Sequence, residues 1–202
     1  MRKLLKHTFK KMKKIFALLA IAALTATTVF AQSTWKVDKA HARLQFTVTH
    51  LMVSDVDGFF KDFDVTIVSA KPDFSDAKIT LVAQTASVNT DNDRRDTHLK
   101  SDAFFDVTKY PTLNFVSTSL TPTSPNHFKL VGNLTLNGVT KPVTMDLWHR
   151  ATVVNPQNQK ENAGFKVTGS FKRSDFNFGK GFGAATIGDE VTVTANGEFG
   201  KS

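Results

Sequence analysis

Apolar and polar residues alternate with a period of two along most of the chain beyond residue 40. In "ARLQFTVTH" (42–50), Leu44, Phe46 and Val48 fall on one face, and Arg43, Gln45, Thr47 and Thr49 on the other. "VTIVS" (65–69), "KITLVAQ" (78–84), "TLNFVSTSL" (112–120) and "FKLVGNLTL" (128–136) repeat the pattern, as do "KPVTMDLWH" (141–149), "GFKVTGSFKR" (164–173) and "EVTVTANGEF" (190–199). Successive side chains of a strand point to opposite faces, so these segments predict half-buried strands rich in Val, Thr and Phe. "NG" at 137–138 is a hairpin signal, and "TPTSPNH" (121–127) and "NPQNQKENAG" (155–164) carry turn chemistry.

One internal segment resists this period. "NDRRDTHLK" (92–100) has early acids, a late Lys100, and Asp91 or Asn92 to cap it, which predicts a short helix. Eight or more antiparallel strands with so few covering helices predict an all-β barrel closed on itself. Such a barrel can be filled by side chains or can hold one small ligand, and pattern leaves both open.

The first residues read differently. Met1 to Lys14 holds seven Lys and Arg and no acid, then comes the apolar run "IFALLAIAAL" (15–24), with Val29 and Ala31 small enough for a cleavage site. Residues 1–31 are therefore expected to be a removed secretory signal peptide, with either Met1 or Met12 as the start. The apolar run is short for a bilayer span, so no stable membrane anchor is expected. Residues 32–202 then form a single domain. Seven of the 26 Lys and Arg leave with residues 1–31, so 19 face 18 acids, and the basic balance of the whole chain gives no reason to expect nucleic acid as a partner. The chain has no Cys, which excludes thiol catalysis and Cys-based metal sites and leaves the fold to its own core. The expected location is the periplasm or the medium.

Candidate chemistry is sparse. His41, His50, His98, His127 and His149 show none of the H-x-H, H-x3-H or H-E-x-x-H spacings, and no metal site is expected. "DNDRRD" (91–96) starts like a calcium loop but puts Arg95 at position five and no Gly at position six. There is no G-x-S-x-G elbow, and "GKGFG" (179–183) lacks the following Lys-Ser/Thr of a phosphate loop. A flexible loop at a barrel mouth suits it better. Of 18 Phe, 15 lie after residue 31, beside one Tyr and two Trp. Phe is the aromatic without a polar handle and suits a dry surface.

Four separated stretches occur in order: "WKVDKAHARLQFTVTHLMVSDVDGFF", "RRDTHLKSDAFFDVTKYPTLNF", "GNLTLNGVTKPV" and "FKRSDFNFG…IGDEVTV". Together they resemble the YceI-like family of bacterial polyisoprenoid-binding proteins over residues 34–200. Arg95, Asp96, His98, Leu99 and Lys100 match its R-D-x-H-L-[KR] stretch, and Phe104 and Phe105 its F-F pair. Pro111, Phe115, Gly132, Leu134, Gly138, Thr140 and Val143 match the following strands, and Arg173, Ser174, Asp175 and Phe176 the late R-[ST]-x-F segment. Met52 and Asn177 depart from it, each standing where Gly is usual. The resemblance implies an all-β, antiparallel lipocalin-like β-barrel of about eight strands with one short helix near residues 92–100, whose interior takes a long apolar chain. No catalytic residue and no cofactor is expected; a bound isoprenoid quinone, polyprenyl lipid or fatty-acid derivative is the expected ligand.

Alternation and the resemblance together give Phe46, Val48, Phe60, Phe105, Phe115, Met145, Phe165 and Phe176 as ligand-binding wall residues. Arg95, His98 and Arg173 are candidates for head-group contact, against the simpler arrangement of ion pairs with Asp96 and Asp175. On a helix, Arg95 lies over Leu99 and Arg94 over His98, so an apolar side can face the barrel and the charges the solvent. Two other readings are an enzyme acting on a lipid-like substrate through His41, His50 or His98, and a solid-core β-module that binds a partner. The edge "VTVTANGEF" is the segment through which two barrels could pair into a homodimer.

Overall fold

The computed structural model describes residues 31–202, so the expected signal peptide lies outside the described residues apart from Ala31. Ten strands form one sheet: β1 Ser33–His50, β2 Ser54–Phe60, β3 Phe63–Ser69, β4 Lys78–Gln84, β5 Val88–Asn89, β6 Thr112–Ser124, β7 His127–Leu136, β8 Val139–Val154, β9 Glu161–Lys172 and β10 Ile187–Lys201. All pairings are antiparallel, and β10 pairs with β1 from Trp35↔Lys201 to His50↔Ile187, which closes the sheet. β2 and β3 run in one direction along β1 and act as a single stave, so the closed ring has eight.

The break in that stave has a local cause. Between β2 and β3 the backbone N–H groups of Lys61 and Asp62 donate to Ser87, and Asp62 O accepts from Gln84 N at 2.9 Å. The chain after β4 is thereby stapled to the wall at a 3-10 turn, Thr85–Ser87. It then adds the two-residue β5 beside β2 and crosses the barrel end as helix α1, Asp93–Lys100. Asn92 supplies the N-cap, its side chain accepting from Arg95 N at 3.0 Å. The sequence prediction of this helix holds to within a residue.

Strand directions sort the connections into two ends. The turn after β1, residues 85–111, the Asn137-Gly138 hairpin and residues 173–186 lie at one end, which forms the mouth. Residues 70–77, 125–126 and 155–160 lie at the other, the floor. There Phe74, 1 % exposed, turns into the axis from a left-handed backbone (φ 58°) and packs on Trp35 (5.2 Å), Phe165 (4.9 Å) and His149 (4.7 Å). The Asp76 carboxylate holds this loop by accepting from Ser69 Oγ and from the Ala70 and Lys71 N–H groups.

Two readings from sequence need correction. β1 begins at Ser33 instead of residue 42, because a bulge at residues 38–41 interrupts its alternation. In that bulge His41 Nδ1 sits 2.8 Å from Asp38, a contact that raises the imidazole and lowers the carboxyl. The segment 191–199 is no free edge: β10 is paired on both sides, so it has no open edge to offer a second barrel. Phe59 and Phe60 face opposite sides of β2, and the outward Phe59 ring is half-buried beneath the Arg43 guanidinium at 4.0 Å. Met52 and Asn177, the two residues in place of an expected Gly, both have left-handed backbones (φ 59° and 56°).

Two outcomes follow for the floor. Phe74→Ala should destabilise the protein by about 3–5 kcal/mol, the range for a buried aromatic truncated to Ala, measured by urea denaturation. Burial between Phe74 and Phe165 holds the His149 imidazole below its ordinary 6.5, against the raising influence of the Ala151 backbone and Asp73. The unfolded chain therefore takes up a proton near pH 6.5 that the folded chain refuses. Stability should fall as pH drops below that value and level off below the folded pKa. His149→Phe, which keeps a ring there, should lack this part of the pH dependence.

Candidate functional site

The inward residues of the staves enclose a cavity of about 390 Å³ with an almost entirely apolar lining. It is lined near the floor by Phe165, Leu147 and Phe199, in the middle by Phe46, Phe115, Leu130 and Met145, and at the mouth by Phe104, Phe105, Phe178 and Phe182. The interior is thus a tunnel and not a filled core. Along β10 the lining runs from Ile187 to Phe199. Twelve residue steps at ~3.3 Å and a tilt of ~40° make it roughly 30 Å long.

Glycines in the wall keep the lumen open. Gly58 pairs with Phe46 and Gly169 with Met145 across neighbouring strands, and Gly132 stands beside Phe115. A Cβ on any of the three would overlap the neighbouring ring or sulfur. Each large side chain therefore lies back into the space above a glycine instead of crossing the axis.

The mouth is an aromatic collar with polar groups set in it. Phe105 meets Phe60 and Phe178 at 5.7 and 4.6 Å, and Phe104 stacks on Phe182 at 5.1 Å. The exposed His98 ring stands edge-on to Phe104 (5.0 Å) and Phe182 (5.7 Å). Arg95 is held from its base: Nε donates to Thr90 Oγ1 and Nη2 to Thr90 O, both at 2.8 Å. Thr90 in turn donates its N–H (2.8 Å) and hydroxyl (2.6 Å) to the buried Asp96. Among the described residues none accepts from the two N–H groups of Nη1, and Arg95 lines the cavity.

Arg173 is bound differently. It is 5 % exposed, and its guanidinium donates to the carbonyls of Gly188, Phe178, Gly179, Phe182 and Ile187 at 2.7–3.0 Å. All five of its donors are used. It is a clasp that folds residues 178–188 around itself, and it lends the mouth positive charge without a free N–H. "GKGFG" does sit at the mouth, but Arg173 fixes it. The ion pairs with Asp96 and Asp175 do not form: among the described residues neither Arg95 nor Arg173 pairs with a carboxylate, Asp96 serves Thr90, and Asp175 is exposed.

Of the eight wall residues read from sequence, Phe46, Val48, Phe60, Phe105, Phe115, Met145 and Phe165 line the cavity. Phe176 does not; it is buried against Phe171 at 5.2 Å, behind the wall. Alternation fails there because the chain leaves β9 into a 3-10 turn, Arg173–Phe176, and left-handed Asn177 then throws Phe178 into the mouth. Phe104, Phe178 and Phe182 were missed as lining residues, since loop positions carry no period; their only signal was three Phe within "FNFGKGF" and the Phe104-Phe105 pair. Arg95, His98 and Arg173 all reach the mouth. His50 lies there too, whereas His41 is in the β1 bulge.

Comparison with known proteins gives consistent matches. The sequence model of the YceI-like domain matches residues 35–199. A UPF0312 protein of Staphylococcus aureus (strain bovine RF122 / ET3-1) is 37% identical over 169 residues, covering 82% of this chain and 96% of that protein. The solved Campylobacter jejuni YceI protein is 30% identical with a TM-score of 0.68, covering 76% of this chain and 90% of its own. Burkholderia cenocepacia BcnA shares the fold at a TM-score of 0.70 and 22% identity, over 81% of this chain and 98% of BcnA. So does a polyisoprenoid binding domain from Saccharophagus degradans, at 0.64 and 15%, over 85% and 100%.

The clasp predicts an asymmetric substitution. Arg173→Lys keeps the charge but brings three N–H groups to five carbonyls. Losing at least two charge-assisted bonds should lower stability by about 3 kcal/mol or more. Hydrogen exchange should speed up over residues 178–188 well before β7 or β8 responds.

Proposed function

The chain belongs to the YceI-like domain family, and from that premise we propose that it binds a long apolar ligand, carrying or sequestering it without catalysis. The observation that carries this reading is the tunnel itself, apolar from the Phe165 floor to the Phe182 collar. The ligand class is an isoprenoid quinone, a polyprenyl lipid or a fatty-acid derivative. The Saccharophagus degradans neighbour, described as a polyisoprenoid binding domain, supports that class through shared architecture.

The energetics need no polar reader. Each buried CH2 contributes roughly 0.8 kcal/mol, so a five-carbon unit fully removed from water contributes about 4 kcal/mol. A few such units offset an association cost of order 10 kcal/mol. A length of roughly 30 Å equals the whole hydrocarbon thickness of a bilayer, which favours chains longer than one leaflet's tails. At the mouth, the Arg95 Nη1 group, from which no described residue accepts, would meet a polar or anionic end, with His98 and the Arg173 charge in the same lining. We place the protein outside the cytoplasm, exported by residues 1–31 and released by cleavage before Gln32. That is where a chain insoluble in water would need such a carrier.

Organic extraction of the exported chain, followed by mass spectrometry, tests the reading. One lipid per polypeptide is expected, with a tail that fills the tunnel. A native mass equal to the bare polypeptide, together with no uptake of an added quinone or polyprenol, would overturn it.

A further inference from the structure

The turn joining β1 to β2 carries three of the seven exposed large apolar residues among the described ones, including the two most exposed: Leu51 at 53 %, Met52 at 75 % and Val53 at 82 %. Its backbone is strained as well. Leu51 and Met52 have φ of 52° and 59°, left-handed values at which a side chain crowds its own carbonyl and which Gly or Asn take far more easily. The fold takes nothing from these side chains in return, because none of the three packs on the hydrophobic core. Large apolar residues held in solvent on a strained turn mark a contact surface.

Its position says which contact. Thr49 and His50, the two preceding residues, line the tunnel mouth. Leu51 N donates to Thr186 O at 3.0 Å, tying the turn to the loop that carries Phe182. Residues 51–54 and 181–188 contain no ionisable side chain, so one sector of the rim is uncharged and continuous with the collar. The helix sector, with Asp93, Arg94 and Lys100, is charged.

We propose that this sector, led by Leu51, Met52 and Val53, dips into the apolar edge of a lipid bilayer while the ligand passes between membrane and tunnel. The idea rests on the carrier reading given above. A second protein is a poor occupant: a standard interface takes roughly 800 Å² from each partner, far beyond three side chains on a turn. A bilayer asks for no shape complement and accepts a small apolar wedge at its interface.

The test compares the exported wild-type chain with the triple variant Leu51→Ser, Met52→Gly, Val53→Ser. Phosphatidylcholine vesicles, plain or loaded with a polyprenol, are the probe. Wild type should co-sediment with plain vesicles, and its uptake rate should rise with vesicle concentration. The variant should co-sediment less and load several-fold more slowly. Its affinity for polyprenol offered in detergent should be unchanged, and its melting temperature equal or higher, because Gly at 52 relieves the backbone. A turn that merely supports the fold would lower the melting temperature instead, and that result overturns the proposal. So does equal sedimentation and loading by the two proteins, or a wild-type dimer that the variant breaks. No uptake from detergent by wild type sinks the carrier reading itself.

Discussion

The pairing of β1 with β10 is the constraint from which the rest of the molecule follows. It closes the sheet into a ring, in which the far edge of β2 is paired by a strand only at Phe59 and Phe60, through β5. Eight staves fix a radius at which inward side chains could meet across the axis or just miss. The apolar half of the alternation is turned to the inside of the ring, and its lining is almost entirely apolar. The remaining question is what keeps the centre free, and the glycines beside Phe46, Phe115 and Met145 answer it.

The two ends obey different physics. The floor is sealed by packing: Phe74, Trp35, Phe165 and His149 interlock with no charged group between the rings. The mouth is held by hydrogen bonds from two arginines to neutral partners, the Thr90 hydroxyl and carbonyl for Arg95 and five carbonyls for Arg173. A guanidinium surrounded by carbonyl dipoles keeps its positive field, whereas one paired with Asp would lose most of it. The mouth therefore combines an aromatic collar with the positive charge of Arg173.

The strands were legible because alternation is a local rule and the barrel imposes it uniformly. So was α1, since Asn92, the early acids and Lys100 are local signals too. What escaped was what depends on partners far along the chain. The β1 bulge hid the first strand segment, because residues 38–41 step out of register while both flanks stay paired. Arg173 looked like a candidate for ion pairing, yet its partners are carbonyls that no sequence pattern can announce. Phe176 and Phe178 share a parity that should put them on one face, and a single left-handed residue between them separates wall from mouth. The hollow interior lies beyond any pattern, since filled and empty barrels alternate alike.

Because the bulky side chains recline over glycines of the adjoining stave, calibre and depth are written in separate parts of the chain. Enlarging a glycine or trimming its neighbour changes girth without moving the Phe74 stopper, and altering the stopper changes reach without touching girth. A lineage of such proteins can thus be retuned to thicker, thinner, longer or shorter guests one position at a time, with the hydrogen-bonded hoop left untouched.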